Sequence, residues 1–503
     1  MLNAMPADAA PAEFQGKVHG HGLVMLDAVD LARAIKDRTV SCVEVMTAYL
    51  QHIDRINGHV NAIVSLQDPD LLLRQAQVRD RQLTRGQYQG FLHGFPQAIK
   101  DLVLTKSIRT TQGSPLFADY VPQEDELLVQ RMKRHGAIII GKTNTPEFGL
   151  GSHTYNPVFG TTCNPYDTTK TAGGSSGGAA AALALRMQAV ADGSDFGGSL
   201  RNPAAFNNIL GFRPSFGRVP SVPAADVFVA QGGVDGPMAR TVTDLALLLS
   251  VLAGGDDRYP LATDQDPEVF ARSGQLERSF RGTRIAFLGD WDGYLPMEPG
   301  ILDLCRAALP VFENLGCAVE ESLPDFPTAA LWPLWRTFRH WLVGGALYPL
   351  YRDPAQRALL KPEVVFEVEG MLRLTALDVW HNTLQRTAWY QAVNAMLETY
   401  EYLLVPTAQV FPFDAQVTWP REINGVEMDT YHRWMEVVTP WTLAGLPVIS
   451  LPVGFSDAGL PMGIQLIGRH HADLAVLQLA FAYEQATRWV QRHLPPLLTK
   501  GLA

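Results

Sequence analysis

An α/β fold, with helices on both faces of one sheet, is predicted by three features of this sequence. Short apolar runs bounded by glycine and proline alternate with stretches of helical periodicity through the first half of the chain. Strand–turn patterns return in Tyr402-Leu403-Leu404-Val405-Pro406, in Val448 to Val453 and in Met462 to Gly468. Between these halves, from about Thr328 to Tyr402, the sequence is helical and aromatic, so the sheet is expected to be interrupted there by a helical insertion. A length of 503 residues would allow about two to four domains. The patterns instead suggest a single domain over 21–503, behind a loose tail at 1–20 that is rich in Ala, Pro and Gly and has no apolar stretch of signal-peptide type.

The elements follow in chain order. Ser41 and Glu44 form an S-x-x-E capping box, and Val45, Met46, Tyr49, Leu50, Ile53 and Ile56 recur at helical spacing, which predicts a helix from Ser41 to about Ile56, ended by Asn57-Gly58. The run Gly94 to Leu102 reads as a buried strand with Lys100 at its end. A helical stretch with Leu127, Leu128 and Met132 precedes a second strand, Ala137 to Ile140. From Thr168 to Gly217 glycine, serine and alanine dominate. An Ala-rich helical run (Ala179 to Leu185) and an apolar segment (Ala189 to Ala191) separate two glycine clusters, so this region is read as packed structure and not as a flexible linker. Trp332, Trp335, Phe338 and Trp341 in the insertion are read first as core, because aromatic burial is itself a large stabilising term; a wall for an aryl or apolar ligand is the other reading.

Composition narrows the function. Apolar residues make up 47% and charged residues 18%, enough for a sizeable core. A formal charge of −10 without a basic patch argues against nucleic acid as a partner. No stretch has the apolar length of a membrane span, and Cys42, Cys163, Cys305 and Cys317 fit neither a disulfide framework nor metal-ligand spacing. A cytoplasmic protein without a metal or other cofactor is expected.

Three motifs compete for the chemistry. Gly136 to Thr143 satisfies the phosphate-loop pattern G-x-x-x-x-G-K-[ST], but Ile138-Ile139-Ile140 prefers a strand where a phosphate cradle needs a loop, and Asn144-Thr145-Pro146 starts no helix. Gly173-Gly174-Ser175-Ser176-Gly177 matches the G-x-S-x-G elbow of α/β-hydrolases. That elbow needs a preceding strand and a downstream acid and histidine; Asn164 to Lys170 is turn-like, and none of His381, His432 and His470 has a distinguishing context. The third reading pairs two glycine-flanked serines with a lysine at a strand end, a variant of nucleophile-and-base logic that uses neither histidine nor metal.

Here the sequence closely resembles the amidase signature family. The resemblance lies in Gly173 to Ala181, Gly193-Ser194-Asp195-Phe196-Gly197-Gly198-Ser199-Leu200-Arg201-Asn202-Pro203-Ala204 and Gly211-Phe212-Arg213-Pro214. Gly94 to Leu102, Lys142 to Phe148, Ala444 to Pro452 and Gly459 to Gly468 agree with it in order, so it spans roughly 27 to 490, with its core at about 90–217. Two departures are Phe196, where a smaller or aliphatic residue is common, and Asn207, where a cysteine is frequent.

The resemblance implies an amidase signature fold, with a large mixed central sheet, and hydrolysis of an amide-type C–N bond, or of a related carbamate or ester, through an acyl-enzyme. It implies Ser199 as nucleophile, Ser175 as bridging serine after a cis Gly174–Ser175 peptide, and Lys100 as the base that must be neutral when it works. The amides of Phe196, Gly197, Gly198 and Ser199 would form the oxyanion hole, and Asp195 and Arg201 are read as bracing this loop, with ordinary surface charges as the alternative. Asp101, next to Lys100 on a strand, is expected to point the other way. A small-molecule amide is the expected partner, and a homodimer is in keeping with the resemblance. An amidotransferase subunit that takes ammonia from glutamine remains the alternative within the same fold.

Overall fold

The computed structural model describes residues 21–499, and the tail expected at 1–20 lies outside them. The helix Cys42–Ile56 carries the full capping box: Glu44 N–H donates to the Ser41 side chain, and the Glu44 carboxylate accepts from the Ser41 N–H. Its periodic face, with Val45, Met46, Tyr49, Ile53 and Ile56, is buried.

Two sheets organise the chain. A small one contains β1 (Ile63–Val64), β2 (Pro96–Lys100) and β3 (Ile138–Thr143), in the order β1-β3-β2. β2 runs parallel to β3, which places Lys100 opposite Thr143, and the helix Leu127–Arg134 leads into β3. The would-be phosphate loop is therefore the buried strand β3, as its β-branched residues demand. The hairpin β4 (Tyr155–Asn156) and β5 (Gly160–Thr161) follows.

The central sheet has eight strands. These are β6 (Val190–Asp195), β7 (Leu210–Arg213), β8 (Val234–Ala239), β9 (Arg284–Phe287), β10 (Ala318–Glu321), β11 (Tyr402–Pro406), β14 (Val448–Phe455) and β15 (Pro461–Ile467); a separate hairpin holds β12 (Glu422–Ile423) and β13 (Val426–Glu427). The order is β10-β9-β11-β15-β14-β7-β8-β6. The sheet is mixed: β10, β9 and β11 are parallel, and every later pair is antiparallel. Helices pack against it, among them Gly177–Ala184, Arg201–Phe206, Val242–Leu252, Ile301–Asn314 and Asp473–Thr487. Among the described residues, no helix is long and apolar enough to cross a membrane.

The partition into two sheets differs from the single sheet expected. Along the side of β2 that faces β6, side chains replace ladder bonds: Ala98 N–H donates to Gln188 Oε1 (3.1 Å) and Lys100 N–H to Asp192 Oδ2 (3.1 Å). Each buried amide is satisfied without a backbone partner, which is what buried N–H groups require. Lys100 thus stands at the seam between the sheets.

Between β10 and β11 the chain forms a run of helices, Leu331–Arg339, Gly345–Tyr351, Pro354–Arg357, Pro362–Leu372 and Ala376–Thr399. Trp332, Trp335, Phe338 and Trp389 are buried, whereas Trp380 is exposed.

Candidate active site

The amine of Lys100 is the centre from which the site is built. Its side chain is fully buried, and Nζ lies 2.7 Å from Ser175 Oγ, 2.9 Å from Ser176 Oγ and 2.9 Å from Ser194 Oγ. Ser194 is on β6, two residues from Asp192, so strand alternation puts both on the side that meets Lys100. Ser175 and Ser176 lie at the start of the helix Gly177–Ala184, after a cis Gly174–Ser175 peptide. That helix can abut the end of β3 because Gly178 has no side chain; a Cβ there would lie 2.3 Å from Asn144 N.

Burial pushes the Lys100 amine down from 10.5 to about 7, against the opposing pull of Asp192, Asp235 and Asp195. It makes no ion pair among the described residues. An ammonium donates three protons, whereas a neutral amine donates two and accepts one, and hydroxyl partners can serve both forms. Lys142 is an instructive contrast. It is equally buried and is pushed down to about 8, but its Nζ donates to the Val103 carbonyl (2.6 Å) and to Thr105 Oγ1 (2.8 Å), and a carbonyl can only accept. Asp101 faces away as expected, its carboxylate taken by Thr111 N–H at 3.1 Å.

Ser199 ends the second glycine cluster. It is 8% exposed and, with Ser175 and Ser194, lines a cavity of about 400 Å³. The Ser175 and Ser199 hydroxyls are not hydrogen-bonded to each other in this structure. Leu102, Phe148 and Leu150 form one wall of the cavity, and Leu342, Val343 and Leu347 of the insertion form another. No histidine lines it and no strand leads into Ser175, which removes the elbow reading.

The loop that carries Ser199 is braced by buried charges. Arg201 holds both oxygens of Asp195, Nε to Oδ2 and Nη2 to Oδ1, each at 2.9 Å, while Leu200 N–H donates to Oδ2 at 3.1 Å. Arg213 donates to the Asp195 carbonyl and approaches Oδ1 at 3.4 Å. Burial alone would raise the Asp195 carboxyl, but Arg201 and Arg213 hold it well below the usual carboxylate range. Arg201 also reaches Val438 O (2.8 Å) and Gln465 Oε1 (2.7 Å), which ties the loop to the C-terminal segments. Asp195 and Arg201 are therefore not surface charges.

One expectation needs correction. Gly198 has φ +87°, and this turn sends its N–H back to Asp195 Oδ1 at 3.0 Å. Its amide is spent inside the loop, so it does not belong with the donors expected to face substrate. The amides of Phe196, Gly197 and Ser199 donate to no protein acceptor among the described residues.

The two departures from the family pattern also find places. The Phe196 ring meets Trp335 edge-on at 5.5 Å and lies under the Arg339 guanidinium at 5.3 Å. Asn207 donates to Ala172 O and Pro203 O, both at 2.7 Å, and so fastens the segment before Gly173 to the helix Arg201–Phe206. Of the insertion's aromatics, Trp332, Trp335 and Phe338 are core; the part of the pocket wall that the insertion supplies is aliphatic, with Arg339 beside it. Ser176, Ser194, Arg213 and Arg339 were not singled out from the sequence.

The Amidase family model matches residues 44–477. The chain belongs to the amidase signature family. It is 33% identical over 491 residues to a glutamyl-tRNA(Gln) amidotransferase subunit from Dehalococcoides mccartyi, a match that covers 93% of this chain and 98% of the relative. It is 31% identical over 471 residues to an acylamidase from Rhodococcus erythropolis, covering 93% and 96%. Among solved structures, a bacterial aryl acylamidase of the same family superposes with a TM-score of 0.86 at 29% identity, covering 93% of this chain and 97% of that one.

Because Asp195 compensates two fully buried arginines, Asp195→Asn is expected to destabilise this amidase-family protein by about 3–5 kcal/mol. Chemical denaturation of both proteins at neutral pH measures the difference; equal stability would mean that the loop is held by something else.

Proposed function

We propose that the protein is an amidase that hydrolyses small apolar or aryl amides through an acyl-enzyme on Ser199. The observation that carries this reading is the Lys100 amine, buried without a carboxylate in contact and 2.7 Å from the Oγ of Ser175, which lines the same cavity as Ser199. Serine needs a neighbouring base to become a nucleophile near neutral pH. Neutral Lys100 takes the Ser175 proton as Ser175 takes that of Ser199, and Ser199 Oγ adds to the amide carbonyl. Rotation of the serine side chains closes the gap between the two hydroxyls for this step.

The amides of Phe196, Gly197 and Ser199 then face the oxyanion, a type of stabilisation for which one donor is worth roughly 10²–10³ in rate. Collapse breaks the C–N bond as the proton returns from Lys100 through Ser175 to the leaving nitrogen. Water attacks the ester by the same relay and frees Ser199. The aliphatic walls from Leu102, Leu150, Leu342, Val343 and Leu347 support an apolar or aryl substituent.

The amidotransferase reading asks for glutamine, whose ammonium and carboxylate both need counter-charges. The cation lining the pocket, Arg339, is already paired with the buried Glu367 at 2.8 Å, which favours the hydrolase reading. Activity of the purified chain alone on simple amides is the separating assay.

Ser199→Ala is expected to abolish both turnover and covalent labelling by a serine-directed probe. Labelling that survives in this variant and disappears in Ser175→Ala would move the nucleophile to Ser175.

Lys100→Ala is expected to impair amide hydrolysis more than hydrolysis of an activated ester of the same acyl group, because only the amide's leaving group must be protonated. The amine loses its basic form as pH falls through about 7, so wild-type kcat/KM should drop on the acidic side of that value, and this limb should vanish in the variant. Equal losses on both substrates with an unchanged pH profile would make the lysine structural.

A further inference from the structure

The pocket has an acidic side that the proposed chemistry does not use. Asp235 lies on β8 directly across from Ser194 on β6, and cross-strand partners share a face. Ser194 touches the Lys100 amine, and both Ser194 and Asp235 line the cavity. Asp235 is only 7% exposed, and no cation lies within ion-pairing distance of it among the described residues.

Its charged surroundings come from several elements. Lys100 on β2 and Asp192 on β6 act on it from the sheet seam. Glu126, before the helix Leu127–Arg134, accepts from the Ser221 hydroxyl at 2.8 Å, and Ser221 also neighbours Asp235; Lys142 acts on Glu126. Tyr259 and Asp226 approach from loops, the latter held ionised by the Val229 and Ala230 amides. Across the cavity, Arg339 is neutralised by Glu367. The lining thus presents carboxylates without matching cations beside its aliphatic walls.

We propose that Asp235 makes this pocket select amides that carry a positively charged nitrogen and reject amides that carry a carboxylate. This deepens the amidase reading and rests on it. A carboxylate held in a largely dry site gains from an ammonium donor that replaces its lost hydration, and it repels an anion brought into the same space.

The test compares kcat/KM for three 4-nitroanilides of matched length: hexanoyl (neutral), 5-aminopentanoyl (cationic) and glutaryl (anionic). A second series carries the same three charges on the amine portion. The expected result at pH 8 is a cationic-to-anionic ratio of roughly tenfold or more in at least one series, falling towards one in Asp235→Asn. A ratio near one in both series, or one that the variant leaves unchanged, overturns the proposal.

Should the variant fail to fold, the wild type carries the test. Burial and Asp192 push the Asp235 carboxyl up to about 6, so the ratio should shrink between pH 8 and 5.5 and a constant ratio overturns the proposal. Failure to hydrolyse any of these anilides, whatever their charge, would sink the amidase reading instead. In that event calorimetry with pentylammonium and pentanoate decides the selectivity directly: tighter binding of the cation supports it, and equal or reversed binding overturns it.

Discussion

A lysine amine without a counter-ion, enclosed at the seam between two sheets, is the constraint on which the rest of the structure depends. Burial disfavours the ammonium, and the protein offers three hydroxyls in place of a carboxylate. A direct ion pair would have satisfied the charge and kept the amine protonated. The seam supplies what the arrangement needs: Asp192 is near enough to clamp the Lys100 backbone through its N–H, while Nζ is left to Ser175, Ser176 and Ser194. Sheet pairing, helix placement and hydroxyl geometry are therefore one problem with one solution.

The Ser199 loop is held by the opposite strategy. There a full carboxylate is buried, and it is matched by two arginines and two backbone amides. Removing one partner from such a set costs far more than the set contributes as a whole, so its value lies in fixing the loop rather than in net stability. Phe196 carries that rigidity outward. Its ring packs on Trp335 and under Arg339, which Glu367 of the insertion and Tyr431 beyond it hold in place, so the insertion's helices and the glycine loop form one packed unit.

Much of this was legible in the sequence because it is local. The capping box at Ser41 and Glu44, the β-branched strand at Ile138 to Ile140 and the ordered glycine–serine segments each announce themselves over a few residues. The family resemblance correctly anticipated a large mixed sheet. Contacts between distant segments were not legible. That β2 joins β3 outside the central sheet depends on which strands meet after the chain has folded, and so does the meeting of Ser194 with Lys100. Asp235 gave no sequence signal at all, because its importance comes from cross-strand register with Ser194. Gly198 was misassigned for a related reason: a glycine in a loop signals freedom, but only the turn decides where its N–H points.

The central claim is that Lys100 is neutral in the resting enzyme just above neutral pH. It is tested most directly by NMR titration of the lysine Cε signals in protein labelled with ¹³C-lysine, with the Lys100 signal assigned by its loss in Lys100→Arg. A Lys100 midpoint near 7, separate from that of the solvent-exposed lysines, is the result the account predicts. A Lys100 signal that stays in its ammonium form up to about pH 10, as an unperturbed lysine would, contradicts it.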